Sequence, residues 1–389
     1  MTMIDMKLAK NKNFRSGAVL LVVLFIVMVV TVLSLGFISQ SDVELACGQN
    51  MILRTQMDYL AESGLEHAKG LILNPQDVST EYFTEATNQQ LVAGSNDYYS
   101  MNVTRDESDQ CNYIIDCNSY RLKNGEEVGR SNIRAELRLD PCITFWAGTS
   151  TVINSRTSIK GDVYCAGNVL IYGDVDGDVF SGGTITGVNP EGKKNENVVE
   201  SPLEWPGINI SDFSSDYYIG SNNYQVENIE SGILPTDNFN PSENNPAGVL
   251  YYNGNLELNG NIGIQGMLVV DGGLKISGEN NCIKSVKDFP ALVVKDEVVI
   301  ENGAELEIEG LVQIGQKIVI DPSVADMNIN IKGGLFIANG GIDGIIPSTS
   351  FINIIAAPTK TAIQIWPTAG TPKRWGQAAG AFYRSIEKH

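Results

Sequence analysis

Residues that bind transition metals are scarce in this sequence. Histidine occurs at only two positions, His67 and His389, and there is no Cys-x-x-Cys pair. Since structural zinc sites need four clustered Cys or His ligands, the sequence argues against one. We expect no cofactor.

Basic residues are also few. The chain has 27 Lys and Arg against 46 Asp and Glu, giving a formal net charge of −19. Such an acidic exterior argues against nucleic acid or an anionic membrane surface as a partner. Acidic surfaces are common in exported proteins, so this charge excludes partners without indicating one.

A long apolar run occurs only once, at Ala18 to Ile38. At about 1.5 Å per helical residue, this run reaches roughly 30 Å, the thickness of a bilayer's hydrocarbon core. Four basic residues precede it: Lys7, Lys10, Lys12 and Arg15. The positive-inside rule then keeps residues 1–17 in the cytoplasm and exports the chain from about Ser39 onward.

The run could also be a cleaved secretory signal or a generic single-pass anchor. A secretory signal has a shorter apolar core and a small-residue cleavage site, and Ser34 to Gln40 matches such a site poorly. The helical pattern also continues beyond the run. An apolar stripe recurs every three or four residues at Leu53, Met57, Leu60, Gly64, Ala68 and Leu71. We expect the helix to stop near Asn74, because Pro75 restricts the preceding residue.

The basic leader ending in Phe14-Arg15-Ser16-Gly17, followed by this helix, resembles a type IV prepilin. The resemblance implies cleavage by a prepilin peptidase after Gly17, leaving Ala18 as the new N-terminus. The segment from Leu60 to Lys69 (LAESGLEHAK) resembles PilX-type minor pilins and the K-type minor pseudopilins of type II secretion.

The resemblance implies other pilin or pseudopilin subunits, the peptidase and an inner-membrane assembly platform as partners. It also implies a single-pass inner-membrane protein with a periplasmic C-terminal region, which moves into an extracellular fibre on assembly. The residues implied in subunit assembly are Val22, Leu53, Met57 and Leu60. Val22 stands where major pilins carry a Glu. The K-type minor subunits, which are placed at the fibre tip, also lack this Glu. Alternatively, the leader is divergent and Gly17 is not a cleavage site.

The cysteines are disulfide candidates in an oxidising compartment. Six are present; we predict a Cys111–Cys117 bond and regard Cys142–Cys165 as a second candidate. Cys47, just outside the membrane, is expected to be free.

Alternating apolar residues predict three β segments after the helix. They contain Tyr99 to Val103, Asn112 to Leu122, and Ile133 to Leu139, with a hairpin at Asn124-Gly125. A long helix followed by an antiparallel meander is the layout of a pilin head, which we expect to end near Pro141.

Short Gly-punctuated strands follow. The segment beginning at Gly161 recurs sixteen residues later, and segments beginning at Gly266, Pro290, Gly310 and Gly334 recur at steps of 24, 20 and 24. This pattern predicts a right-handed β-solenoid, with an irregular β-sandwich as the alternative. We expect residues 188–248 to form an inserted loop and residues 351–389 to cap the end. Trp366 and Trp375 could instead contact a ligand through their aromatic rings.

Two acidic sets could carry chemistry. Asp174, Asp176 and Asp178 suggest calcium, although outward-facing Asp is ordinary on a solenoid strand. Glu305, Glu307 and Glu309 share one strand face and could belong to a membrane-anchored enzyme or carbohydrate-binding protein. We favour a solvated edge and a non-enzymatic protein.

The predicted fold is therefore mainly β, with a long N-terminal transmembrane and amphipathic helix. The predicted segments are a leader at 1–17, a transmembrane helix at 18–38, a pilin-like head at 39–140, a solenoid at 141–350 and a cap at 351–389. The predicted function is a minor pilin or pseudopilin-like subunit at a fibre tip, where the solenoid would prime assembly or contact a surface or polysaccharide.

Overall fold

The computed structural model describes residues 13–73, 83–107, 109, 111–358, 363–375 and 381–388. The protein is mainly β with one long N-terminal helix, so the predicted fold class is confirmed at that level. The helix α1 spans Asn13–Leu73, and the predicted stop at Asn74 lies outside the described residues. Lys7, Lys10 and Lys12 of the leader, and His389, lie outside the described residues.

An antiparallel sheet packs against the second half of α1 and forms the head. Its first four strands pair in chain order: β1 (Glu85–Gln89), β2 (Asp97–Arg105), β3 (Asn112–Lys123) and β4 (Glu126–Leu139). Asn124 and Gly125 have φ angles of 54° and 86°, which make the tight turn from β3 to β4 that Asn-Gly favours. Alternate residues of β4, from Ile133 to Leu139, are buried against the helix.

Beyond Cys142 the chain forms short strands that pair in parallel, and we call this region the parallel stack. Its first part contains β5 (Ile143–Ala147), β6 (Thr151–Ile153), β7 (Thr157–Lys160), β8 (Asp162–Cys165), β9 (Val169–Ile171), β10 (Asp174–Val175), β11 (Val179–Ser181), β12 (Ile185–Gly187) and β13 (Lys194–Asn195). A segment with a 3₁₀ helix (Ile210–Phe213) and the hairpin β14 (Asp216–Ile219) and β15 (Asn222–Gln225) follows.

The second part of the stack begins with β16 (Glu227–Asn228), β17 (Ile233–Leu234), β18 (Asn238–Phe239), β19 (Val249–Tyr252), β20 (Leu256–Leu258), β21 (Ile262–Gln265), β22 (Met267–Val270), β23 (Leu274–Ile276) and β24 (Asn281–Lys284). It continues with β25 (Leu292–Val294), β26 (Val298–Ile300), β27 (Ala304–Ile314), β28 (Ile318–Ile320), β29 (Met327–Ile337), β30 (Ile342–Asp343) and β31 (Phe351–Ile355). Their inward Ile, Leu and Val side chains form one continuous core.

The strands do not stack in chain order. The chain enters in the middle of the stack at β5, which pairs with β8 on one side and with β29 on the other. It then advances outward to β13, returns as β16 at the opposite end of the sheet, and winds back towards β29. Strand β31 pairs with β7 and closes the same seam. Residues 196–226 must therefore pass from one end of the stack to the other.

This crossing segment covers the outer side of the sheet that contains β5, β8 and β22. Leu203, Ile208, Phe213 and Tyr217 are buried there, together with Trp146 and Phe336 from the strands beneath. Burial on both sides explains why these strands are apolar throughout, as in Met267–Val270. The predicted inserted loop at 188–248 is thus divided: it begins at one end of the stack, crosses it, and supplies β16 to β18 at the other.

The C-terminal region does not cap an end of the stack, in contrast to our prediction. Strand β31 lies at the seam, and the hairpin β32 (Ile363–Thr368) and β33 (Thr371–Trp375) pairs with β14. Trp375 donates a hydrogen bond from Nε1 to the Glu204 carbonyl oxygen at 2.6 Å and packs edge-on against Phe336. The side chain of Trp366 lies outside the described residues.

The last strand, β34 (Ala381–Lys388), returns to the head and pairs antiparallel with β4. The stack is therefore an insertion between two neighbouring strands of the head sheet. Lys388 Nζ forms an ion pair with Glu62 of α1 at 2.6 Å, which ties this strand to the helix. The head thus extends past the predicted boundary at 140 and includes the C-terminal strand.

Candidate assembly helix and stack surfaces

The first part of α1 leaves the body of the protein and is fully exposed. Large apolar side chains from Val19 to Ile52 have no cover from the rest of the described chain, and the most apolar 18-residue window has a mean hydropathy of 3.1. An exposed surface of this kind needs lipid or protein around it. Among the described residues, this helix is the one long and apolar enough to cross a bilayer.

The predicted assembly residues fall into two groups. Gly17 and Ala18 are within helix α1, and Val22, in the same helix, is 58% exposed. Met57 and Leu60 are instead 1% and 6% exposed, because the head sheet of the same chain covers them. Leu53 is half-buried against that sheet. The apolar stripe from Met57 onward is therefore core, and these residues are not free to contact a second subunit as we had expected.

Hydrogen bonds join the C-terminal half of α1 to the head sheet. Ser119 Oγ donates to the Met57 carbonyl oxygen at 2.7 Å, and Ser131 Oγ donates to Asp58 Oδ1 at 2.6 Å. Each joins a buried or half-buried group to the helix, so the head holds α1 at a defined rotation.

A buried ion pair joins the head to the stack. Arg138 of β4 donates from Nη2 to Asp162 Oδ1 at 2.9 Å; its side chain is 11% exposed and that of Asp162 is fully buried. Burial alone would lower the pKa of Arg138, but hydrogen bonds and charge from Asp162 outweigh it and hold that pKa above its ordinary value. Asp162 also accepts from the backbone amides of Cys142 and Asp178, at 2.6 and 2.8 Å.

A disulfide lies beside this ion pair and corrects both predicted pairings. Cys111 is bonded to Cys142, and the predicted Cys111–Cys117 and Cys142–Cys165 bonds are wrong. Cys111 and Cys117 are six residues apart along one extended stretch, roughly 20 Å, whereas disulfide Cα atoms lie within about 7 Å. Cys165 lies opposite Ala147 instead of Cys142. Cys47 is an exposed free thiol, and burial raises the pKa of Cys117 to about 12.

Two of the three aspartates considered for calcium accept hydrogen bonds from backbone amides. Asp176 Oδ1 accepts from the Gly161 amide at 2.9 Å, and Asp178 Oδ1 accepts from the Lys193 amide at 2.8 Å. Asp174 is exposed. No group of three His, Cys, Asp or Glu side chains arranged to hold a metal occurs in the described part of the chain. Burial raises the pKa of Asp176 to about 6.

The three glutamates have different partners. Glu305 Oε2 accepts from the Asn280 amide at 3.1 Å. Lys284 Nζ lies 3.0 Å from Glu309 Oε1 and 4.0 Å from Glu307 Oε1, so one ammonium group serves both carboxylates. Lys284 of β24 therefore offsets part of the charge of Glu307 and Glu309 on the neighbouring strand β27, which suits a solvated edge better than a general acid and base.

A cleft that no motif in the sequence indicates lies at one corner of the stack. It has a volume of about 320 Å³ and lies where turns lead into β24, β27, β29 and β31. Glu305, Asn328 and Phe351 line it from one register of successive strands, and the rest of its polar lining is Glu279, Asp326 and Thr349. Only the recurrence of the turns could have indicated that such residues align.

No family model matches the sequence, and neither does any curated protein. Among solved structures, the competence-associated pilin ComZ from Thermus thermophilus matches at 10% identity, over 87% of this chain and 97% of that chain, with a TM-score of 0.25.

Proposed function

We propose that this protein is a structural subunit of minor pilin or pseudopilin type, in a type IV pilus or a type II secretion-like fibre. The observation that carries the proposal is the division of α1. Its N-terminal part presents uncovered apolar side chains, while its C-terminal part is the core of an antiparallel head. A membrane-stored subunit that later assembles through its helix needs both properties in one continuous element.

The prepilin-like leader supplies an independent test of this proposal. Cleavage after Gly17 would give a mature chain beginning at Ala18, and intact-mass spectrometry of the protein from its native host should show that N-terminus. Gly17→Leu should leave the leader attached, whereas Gly36→Leu, in the same helix with open space around it, should be processed normally. A wild-type chain that begins at Met1 or near Gln40 would contradict the proposal.

A position at the fibre tip is the finer form of the proposal. Val22 has no carboxylate to offer a subunit ahead, and the inserted stack makes the head bulky for a packed shaft. Immunogold labelling of the stack on isolated fibres should mark ends only. Label spaced along the shaft would reject the tip position and leave the subunit role intact.

The proposed role is structural and non-enzymatic. The shared Lys284 supports this for Glu307 and Glu309. The alternative of a membrane-anchored carbohydrate-binding protein has one specific observation in its favour, the corner cleft. An envelope anchor with such a cleft would keep its leader and would not co-purify with pilin-like subunits.

A further inference from the structure

The corner cleft has its ligand-facing groups arranged along the axis of the stack. Glu305, Asn328 and Phe351 are paired in register on β27, β29 and β31. Since neighbouring strands are about 4.8 Å apart, the three side chains form a column with that spacing. Glu279, Asp326 and Thr349 come from the adjoining turns and form the rim. The cleft therefore suits an extended ligand with a repeating unit.

The charge of the cleft restricts the ligand further. Three carboxylates line it, and no Lys or Arg side chain is among its lining residues in the described chain. An acidic ligand would be repelled, whereas an ammonium group could form charge-assisted hydrogen bonds. The Phe351 ring, 37% exposed, offers an apolar face and a cation–π partner at one end of the column.

Backbone groups at the cleft are already used. The Glu305 amide donates to the Gly278 carbonyl oxygen at 2.9 Å, and the Met327 amide donates to Ser350 Oγ at 2.9 Å. The strands beneath are paired on both sides, so a peptide cannot bind here by adding a strand. Recognition must use side chains, and Asn328, whose Oδ1 accepts from Asn330, still has its Nδ2 as a donor.

We propose that this cleft binds a linear saccharide that carries free amino groups. Its ammonium groups would pair with Glu279, Glu305 and Asp326, its hydroxyl groups would bond to Asn328 and Thr349, and one ring would stack on Phe351. This inference goes beyond the proposed function and does not depend on it, because binding by a single chain requires neither processing nor assembly.

The test is titration calorimetry of the full chain in detergent micelles with a glucosamine hexamer as the probe. We expect one site per chain, at least tenfold weaker binding of the N-acetylated hexamer, and no binding of an oligogalacturonate. Phe351→Ala and Glu305→Gln should each weaken binding about tenfold. Glu305→Gln keeps a carbonyl oxygen for the Asn280 amide, so the fold should be retained.

Two matched variants control for the acidic surface. Glu243→Gln removes an exposed carboxylate outside the cleft, and Tyr172→Ala removes an aromatic ring that is 55% exposed just after β9, also outside the cleft. Both should bind like wild type. Absence of binding, equal losses in the control variants, or equally tight binding of a lysine hexamer would overturn the proposal. The result is separate from that of the processing test at Gly17.

Discussion

The buried carboxylate of Asp162 should hold the head and stack together, and its removal should be costly. In Asp162→Ala, the backbone amides of Cys142 and Asp178 lose their acceptor, and Arg138 loses its closest partner. Arg138 retains Asp109, whose Oδ2 lies 3.3 Å from Nε, so the guanidinium is not left entirely unpaired. Breaking a buried pair costs about 3–5 kcal/mol, and we expect the lower end of that range.

Hydrogen exchange measured by mass spectrometry can localise this loss, because the two amides lie in separate peptides. An opening free energy lowered by about 3 kcal/mol speeds exchange on the order of a hundredfold where protection is set by local opening. Peptides covering Cys142 and Asp178 should exchange faster together, since both amides share one acceptor. The peptides of β21 and β22, far from the junction in the stacking order, should be unchanged.

Asp140→Ala is the matched control for this experiment. Asp140 lies 3.8 Å from Arg138 but is 46% exposed, and exposed pairs contribute about 0–1 kcal/mol. In Asp140→Ala, the peptides covering Cys142 and Asp178 should exchange at rates within a fewfold of those in wild type. Equal protection in Asp162→Ala and wild type, or equal losses in the two variants, would refute the view that Asp162 organises the junction.

Three other changes test separate features. Replacing Cys111 and Cys142 by Ala removes a crosslink of sequence separation 31 and should lower the free energy of unfolding by about 3–4 kcal/mol, measured with denaturant. The stability of this variant should no longer change when reductant is added. Burial raises the pKa of Asp176 to about 6, above its value in the unfolded chain. The contribution of this carboxyl group to folding stability is therefore full below about pH 4 and is lost as pH rises through about 6. Asp176→Asn should raise the melting temperature at pH 7.5 but not at pH 4. A Cβ at Gly148 would collide with the Ala338 carbonyl oxygen at the seam, so Gly148→Ala should lower the melting temperature by several degrees, whereas Gly70→Ala, in open space on α1, should not.

Local signals in the sequence identified much of the fold. The β3–β4 turn follows from Asn124 and Gly125, because it depends on a few neighbouring residues. The repeat step of sixteen equals the offset between Val163 and Val179 in their parallel ladder. The last predicted step was one residue too long, since the register places Gly310 opposite Gly333.

Long-range connections could not be predicted in the same way. Each turn of the stack has similar short apolar strands, so the sequence does not reveal that β5 pairs with β29 across nearly 200 residues. Strand β34 likewise pairs with β4, whose residues lie about 240 positions earlier, and no local pattern in the sequence indicates that partner. The wrong disulfides came from judging sequence distance without the extended geometry of β3.

The insertion of the stack between β4 and β34 explains how a large unit can be carried without disturbing the helix. The chain passes from β4 into β5 next to the seam, where Arg138–Asp162 and Cys111–Cys142 tie the two parts together. The stack is thus held near its middle, and neither end is needed for attachment. The corner cleft lies at the N-terminal ends of β27 and β29, whereas the crossing segment packs on their C-terminal parts at Leu311 and Phe336, so the two features occupy separate parts of the same strands.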